Sequence, residues 1–263
     1  MLLTYGKFSQ LRTLPGLNNI CLAAWLLVGQ LMVLIVPDKT GLPAICVALG
    51  MLLHYAWLCV VCWTSVCSFH MFYVFVLLQA SLQAQHRQSW YLRRYAAVAH
   101  LLPAMVVISV VGVSQVISQG RNYGYGGHVC YLNSVILVGV GFVLPLAACV
   151  TFNLVLLGIT ARTLSNVERV PKHSATAESS NLPIYAKLSS LTGTCWILAL
   201  LAEIPGWGWL KYPSAVLNGL QGFHLALSYA VNKRALMLWR QAIQTKKTTS
   251  ELSKTQNTSG TTV

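Results

Sequence analysis

Long apolar runs separated by short polar segments dominate the pattern along this chain. A helix needs roughly 20 mostly apolar residues to cross a bilayer, because the hydrocarbon is about 30 Å thick and each helical residue rises about 1.5 Å. Six runs reach or approach that length. They are Leu17–Val36, Leu42–Ala80, Tyr95–Ser118, Tyr131–Thr160, Leu188–Ile204 and Tyr212–Val231. The pattern therefore predicts an all-α, polytopic membrane helix bundle of six spans over residues 17–231.

The second run is long enough for two spans and contains no Lys, Arg, Asp or Glu. No cluster of turn residues interrupts it, and Gly50 alone is a weak breaker. We expect one long, tilted helix that continues beyond the bilayer.

The charge of the chain follows the same alternation. Only 9% of the 263 residues are charged, whereas a soluble domain carries about 25%. Segments 1–16, 81–94, 161–187 and 232–263 hold 15 of the 18 Lys and Arg residues. Because positive residues mark the cytoplasmic side, both ends of this chain are predicted to be cytoplasmic in a multi-pass protein of the cell membrane. The basic excess then reflects topology in a lipid bilayer, and it gives no support for nucleic-acid binding.

The polar segments at the two ends have different characters. Residues 1–16 are predicted to be a cytoplasmic loop, 232–244 an amphipathic helix, and 245–263 a disordered tail rich in Ser and Thr. Thr261 and the terminal Val263 match a ligand for a PDZ-domain scaffold, in which a groove captures the terminal carboxylate. Short motifs also recur by chance, so both interpretations stay open.

Two cysteines stand apart from the other six. Cys46 lies at the outer start of the second run, and Cys130 lies at the outer entry of the fourth. The predicted topology places both on the oxidising side of the membrane, where disulfides persist. A disulfide between them is the favoured prediction. Two unpaired thiols are the alternative, since free cysteine is common in apolar segments.

Polar residues at membrane depth are functional candidates by default. Four histidines lie in the predicted spans: His54, His70, His100 and His224. Haem ligation would need each to have a partner at equal depth, and the sequence gives no sign of one. A six-span transporter or channel subunit is the main alternative function, although neither an internal repeat nor paired membrane carboxylates are visible. No catalytic or metal-ligand spacing appears, so neither an enzyme nor a cofactor is expected.

The order of motifs resembles the seven-span domain of adhesion G-protein-coupled receptors, a branch of the secretin-like class. The resemblance covers nearly all of residues 5–243 and begins at the family's first inner loop. The matching positions are Tyr5–Arg12, Leu17–Cys21, Cys46, His54-Tyr55, Trp63, Phe69-His70-Met71, Cys130-Tyr131, Pro145, Asn153, Trp196, Asn218–Phe223 and the basic stretch Asn232–Arg240.

This resemblance implies a receptor that couples an extracellular stimulus to a heterotrimeric G protein. It implies a ligand cavity and switch region comprising Trp196, Gln221, His54 and Trp63. It places His70, Met71 and Phe72 on the side that meets the G protein. The implied agonist is a tethered peptide, which is absent from this chain. The alternative for these buried polar groups is interhelical packing and hydrogen bonding.

The sequence departs from the family pattern in three places. Cys67 stands three residues before His70, where the family usually has a glutamate. Ile197 follows Trp196, where a glycine is usual. The family's first span and its extracellular autoproteolytic domain are also missing, so we expect this chain to be an incomplete core of such a receptor.

Overall fold

The structure is a computed structural model that describes residues 2–36, 41–77, 88–127, 129–167, 195–198, 200–202, 206–230, 236–245 and 247–248. Within these ranges the regular elements are helical, and the strand-like feature is an isolated antiparallel bridge between Tyr125 and Leu132. This agrees with the all-α prediction.

Helix α1 is Leu2–Lys7, and a 3-10 turn follows at Ser9–Leu11. The next three are α2 (Leu14–Ile35), α3 (Pro43–Phe72) and α4 (Gln88–Ile117). Helix α5 has three consecutive parts, which are Val135–Val138, a π-helical segment Gly139–Val143, and Leu144–Val167. A 3-10 turn at Gly208–Leu210 leads into α6 (Lys211–Ala230), and α7 covers 236–245.

Four of these helices are long and apolar enough to cross a membrane: Leu14–Ile35, Pro43–Phe72, Ser89–Ile117 and Val135–Thr163. Helix α6 has 20 residues, but Asn218, Gln221 and His224 lower its hydropathy, and it is not among the four. Most of the predicted fifth span lies outside the described residues. The chain is thus a multi-pass membrane protein with at least four apolar helices.

Several predicted boundaries differ from the observed ones. Helix α4 begins at Gln88 rather than Tyr95. Arg93 and Arg94 therefore lie within the helix, near its start. The fourth span begins at Val135 rather than Tyr131, since the preceding residues belong to a loop. The second run is α-helical only to Phe72 and continues as a π-helical turn at Tyr73–Leu77; residues 78–80 lie outside the described part.

The two terminal segments are also more helical than expected. Segment 1–16, predicted as a loop, contains α1, the 3-10 turn and the start of α2. Of the predicted amphipathic helix 232–244, residues 236–244 are described and helical, as are residues 245 and 247–248 of the predicted disordered tail. Residues 249–263, with Thr261 and Val263, lie outside the described part.

Helix α3 occupies the centre of the bundle, in contact with α2, α4 and α5. Its buried side chains point in all directions around its axis, as expected of a helix enclosed by others. The main core joins α3 to its neighbours through Leu26, Val60, Trp63, Leu146 and Leu225.

The two ends of the bundle are named after residues of α3. The disulfide end contains Cys46 in the first turn of α3, and the His70 end contains the last turn of that helix. Phe8 packs edge-on against Trp239 with ring centroids 5.3 Å apart. The first and last described segments therefore meet, beside the start of α2 at the His70 end.

Candidate functional site

At the disulfide end, the loop that contains Cys130 is attached to the first turn of α3. Cys46 and Cys130 form a disulfide with a Cα–Cα distance of 4.8 Å. The backbone N–H of Gly126 donates to the carbonyl of Tyr131 at 2.9 Å, which closes the loop into a short hairpin. Gly126 has a φ of +90°, a conformation that glycine adopts without steric cost. The loop is thereby held by covalent and backbone bonds together.

Gly50 permits the close approach of this loop to α3. A Cβ atom at Gly50 would lie 3.0 Å from the carbonyl oxygen of Cys130 and 3.1 Å from its carbonyl carbon. Because these are backbone atoms of a disulfide-bonded residue, they have little room to move. The weak breaker noted in the sequence is therefore a packing residue, one turn below the disulfide.

His54 connects this loop to α5. Its ring is fully buried. The Nε2 atom lies 3.0 Å from the carbonyl oxygen of Gly141, so Nε2 carries the proton and donates it. The Nδ1 atom lies 2.7 Å from the hydroxyl of Tyr125, which donates to it in the neutral ring. Burial raises the pKa of Tyr125 above its usual value, so this hydroxyl keeps its proton.

The carbonyl that His54 reaches belongs to the π-helical segment Gly139–Val143. Such segments frequently occur at functional sites in membrane and soluble helices. Gly141 is buried, and a Cβ there would lie 2.9 Å from Cγ2 of Val110 on α4. Helices α3 and α5 and the loop therefore meet at one hydrogen-bonded histidine, and α4 packs against the same segment of α5.

Trp63 lies in a different environment from His54. Nine residues separate them on α3, which places them about 180° apart around the helix and about 13 Å apart along it. Trp63 packs against His100 of α4, with ring centroids 6.0 Å apart. His100 is also hydrogen-bonded through Nδ1 to the hydroxyl of Tyr55 at 3.2 Å. The structure thus does not bring these two predicted cavity residues together.

Trp196 and Gln221 are buried in the part of the core nearest α6. Trp196 meets Trp57 edge-on, with centroids 5.7 Å apart. The indole nitrogen of Trp196 and both amide atoms of Gln221 have no hydrogen-bond partner within the described part of the chain. Nearby, the amide of Gln30 donates to the carbonyl of Gly219 at 3.0 Å, tying α2 to α6.

At the His70 end, α3 is tied to α4 through a tyrosine. His70 is buried, and its Nδ1 lies 3.2 Å from the hydroxyl of Tyr95. The hydroxyl of Tyr73 lies 3.0 Å from that of Tyr91 one turn away. Met71 and Phe72 are half-buried beside this cluster.

Cys67, which replaces the expected glutamate, is engaged with α2. Its thiol donates to the side-chain oxygen of Asn19 at 3.6 Å. The neighbouring Asn18 is 1% exposed, and neither of its amide atoms has a partner within the described residues. This end of the α2–α3 interface is therefore polar but carries no described charge.

Sequence reasoning did not identify Tyr125, Gly141, Tyr95 or Gln30 as partners. One signal was available, because Tyr125 stands within the segment Gly124–Gly127, where a large side chain among glycines suggests a fixed position in a tight turn. The other three lie in apolar runs with no local feature to distinguish them.

The described arrangement holds helices together and carries no obvious reaction chemistry. Among the described residues, no group of three or more His, Cys, Asp or Glu side chains is placed to hold a metal ion. All five acidic residues of the sequence fall outside the described ranges. The convergent features are instead hydrogen bonds that connect α3 to α2, α4 and α5.

Comparison with known proteins agrees with this picture. Residues 1–225 match the family described as 7 transmembrane receptor (Secretin family). Over 236 residues the chain is 27% identical to human Cadherin EGF LAG seven-pass G-type receptor 2, covering 88% of this chain and 8% of that protein. Bovine Adhesion G-protein coupled receptor D1 is 25% identical over 242 residues, covering 88% of this chain and 25% of its own length.

A third relative, mouse Adhesion G-protein coupled receptor G2, is 25% identical over 209 residues, covering 74% of this chain and 20% of the relative. The chain thus spans a quarter or less of the length of these three relatives. The match favours a non-enzymatic receptor over the transporter, channel and haem-carrier alternatives.

Proposed function

Because the chain belongs to the secretin family of seven-transmembrane receptors, we propose that it is the membrane signalling region of an adhesion-type receptor coupled to a heterotrimeric G protein. The observation that carries this proposal is the match of the family over residues 1–225. It is supported by adhesion receptors among the relatives and by hydrogen bonds that link α3 to α2, α4 and α5.

The proposed orientation puts the disulfide end outside the cell and the His70 end in the cytoplasm. Lys and Arg residues concentrate in segments that alternate to one side, as the positive-inside rule requires. The contact between Phe8 and Trp239 supports a common side for the first and last described segments. Disulfides persist in the extracellular compartment, which suits Cys46 and Cys130.

The agonist in this proposal is a tethered peptide that binds at the disulfide end. His54 would report its presence, because it joins the loop to the π-helical segment of α5. Trp196 and Gln221 would form the switch below, since their buried polar atoms have no hydrogen-bond partner among the described residues. Trp63 would transmit the change to α4 through His100. A ligand shifts such an equilibrium by binding one arrangement more tightly than the other.

The G-protein surface is proposed to include His70, Met71 and Phe72. Their support is position, because they form the last turn of α3 at the end that contains most of the described Lys and Arg residues. A π-helical turn follows them at Tyr73–Leu77. The proposed PDZ ligand, Thr261 and Val263, would lie on the same side.

The experiment measures recruitment of engineered Gα subunits from each major class to the full chain by resonance energy transfer in cells. At least one class is expected to give a signal above that of a membrane anchor alone. Phe72→Ala should weaken it, because Phe72 is proposed to contact the G protein. Phe152→Ala is the matched control, since Phe152 is exposed on the apolar helix α5. Solute flux in vesicles without recruitment of any class would contradict the proposal.

A further inference from the structure

Helix α4 presents one continuous exposed stripe whose chemistry changes along its length. Positions 90, 94, 97, 101, 105 and 108 fall within about 80° of one another around an α-helix. At the His70 end the stripe starts with Trp90 and Arg94, both exposed. It continues with Leu101, Met105 and Ile108, which are 61%, 54% and 68% exposed. This face of α4 therefore begins with an aromatic and a cationic residue and continues with apolar residues.

The protein itself orients the guanidinium group of Arg94. The guanidinium carbon of Arg94 lies 3.8 Å from the ring centroid of Trp90, a cation–π contact one turn back along the helix. The side chain thus points towards the start of α4 and away from the apolar stripe. That is the direction in which arginine extends to keep its charge out of hydrocarbon while its stem stays in it.

The positive charges of Arg93 and Arg94 have no acidic partner within the described part of the chain. Arg93 is exposed on the adjacent position of the same turn, and every acidic residue of the sequence lies outside the described ranges. The first-turn backbone N–H groups of α4 add a partial positive charge at this end. Indole rings prefer the level of the lipid headgroups, which sets the depth of Trp90 and hence of the two arginines.

The dimensions of the stripe fit one lipid molecule. From Arg94 to Ile108 is 14 residues, or about 21 Å of helix, roughly the length of one extended acyl chain. A headgroup phosphate beside Arg94 would leave its acyl chain lying along Leu101, Met105 and Ile108. A neutral lipid would gain the apolar contact but would not compensate the two guanidinium charges.

We propose that this stripe of α4 binds one acidic glycerophospholipid of the bilayer, with the phosphate held by Arg93 and by Arg94 stacked on Trp90. The lipid is retained by charge at the headgroup and by apolar contact along its chain. It is selected over zwitterionic lipids because its net negative charge is the complement of the pair of arginines.

The test uses the full chain in nanodiscs made from equal amounts of dioleoyl phosphatidylcholine and dioleoyl phosphatidylserine. Native mass spectrometry then counts the lipids that stay bound when the disc is removed. The wild-type chain is expected to retain phosphatidylserine in preference to phosphatidylcholine. Arg94→Gln should lower the retained phosphatidylserine about five-fold, and Arg93→Gln should do the same through an independent, exposed residue.

Two further variants separate a specific site from bulk charge. Trp90→Leu keeps both arginines but removes the ring that orients Arg94, so retention should fall. Arg121→Gln is the matched control, because Arg121 is exposed in the loop at the disulfide end. This substitution removes the same charge but lies outside the stripe. Equal retention in wild type and both α4 arginine variants would overturn the proposal, as would an equal loss in Arg121→Gln.

A last arm distinguishes a bilayer lipid from a free phosphate diester. Glycerophosphoserine, which has the headgroup but no acyl chains, should fail to displace the bound lipid at equal concentration. Displacement by this soluble compound would show that α4 binds the headgroup alone and would contradict the role of the apolar stripe.

Discussion

The hydroxyl of Tyr125 lies 2.7 Å from Nδ1 of His54 and so joins the disulfide-bonded loop to the centre of α3. The opposite ring nitrogen of His54 is engaged by Gly141. One imidazole therefore couples the loop to α5, and the loop cannot shift without changing the environment of the π-helical segment.

Replacing this hydroxyl should cost stability. In Tyr125→Phe the Nδ1 atom of a fully buried ring loses its donor, and the free energy of unfolding should fall by about 1–3 kcal/mol. Thermal unfolding in nanodiscs measures the change. Tyr123→Phe is the control, because Tyr123 is exposed in the same loop. If both variants unfold like the wild type, the hydrogen bond contributes nothing to the fold.

Gly50 gives a second, purely steric prediction. Gly50→Ala introduces a Cβ atom 3.0 Å from the carbonyl oxygen of Cys130, so the loop must move and formation of the disulfide should slow. Labelling of free thiols during oxidative refolding measures this. Gly158→Ala is the matched control, since a Cβ there meets nothing within 4 Å, and removing a helical glycine should stabilise by about 0.5–1 kcal/mol. Equal oxidation rates in both variants would refute the steric argument.

The disulfide itself closes a long segment, with 84 residues separating Cys46 from Cys130. Loss of such a crosslink typically costs about 2–4 kcal/mol through the freedom that the unfolded chain regains. Cys46→Ser, Cys130→Ser and the double variant should be destabilised by similar amounts, because each removes the same bond. A double variant destabilised by the sum of the two single losses would mean that the two side chains act separately.

Some of this structure was predictable from the pattern of residues, for a physical reason. Crossing lipid requires long apolar helices, and a helix is indeed present at each of the runs that begin at Leu17, Leu42, Tyr95 and Tyr131. The start of α4 was missed because Arg93 and Arg94 interrupt hydropathy, although long cationic side chains can extend out of the hydrocarbon. The pairing of His54 with Tyr125 spans 71 residues. It depends on the rotation of α3, which hydropathy does not specify because apolar residues occur on every face of that helix.

The contact between His70 and Tyr95 predicts an effect on coupling. This hydrogen bond holds α3 to α4, and we take movement of α3 away from α4 as the step that admits the G protein. Tyr95→Phe removes it, and a lost bond of about 1 kcal/mol should shift the balance about five-fold towards the coupled arrangement. Basal recruitment of Gα subunits should therefore rise. Tyr212→Phe, at an exposed tyrosine on α6, should leave it unchanged; a fall in Tyr95→Phe would reverse the assigned role of the bond.

The last prediction concerns the contact that joins the two terminal segments. The Nζ atom of Lys7 lies 4.2 Å from the ring centroid of Trp239, which Phe8 also meets edge-on. Cation–π and edge-on aromatic contacts each contribute about 0.5–1.5 kcal/mol when partly exposed. Trp239→Ala should release α7, so its backbone amides should exchange hydrogen about 5–150-fold faster by mass spectrometry.

Met237→Ala is the control for that measurement, because Met237 is exposed on the same helix and loses a comparable apolar side chain. Lys7→Gln should reproduce part of the acceleration from the other side of the contact, since it removes the cation and leaves the ring in place. Unchanged exchange in Trp239→Ala would show that α7 is held by the membrane surface alone. Acceleration in Trp239→Ala and Lys7→Gln but not in Met237→Ala would establish that α1 anchors α7.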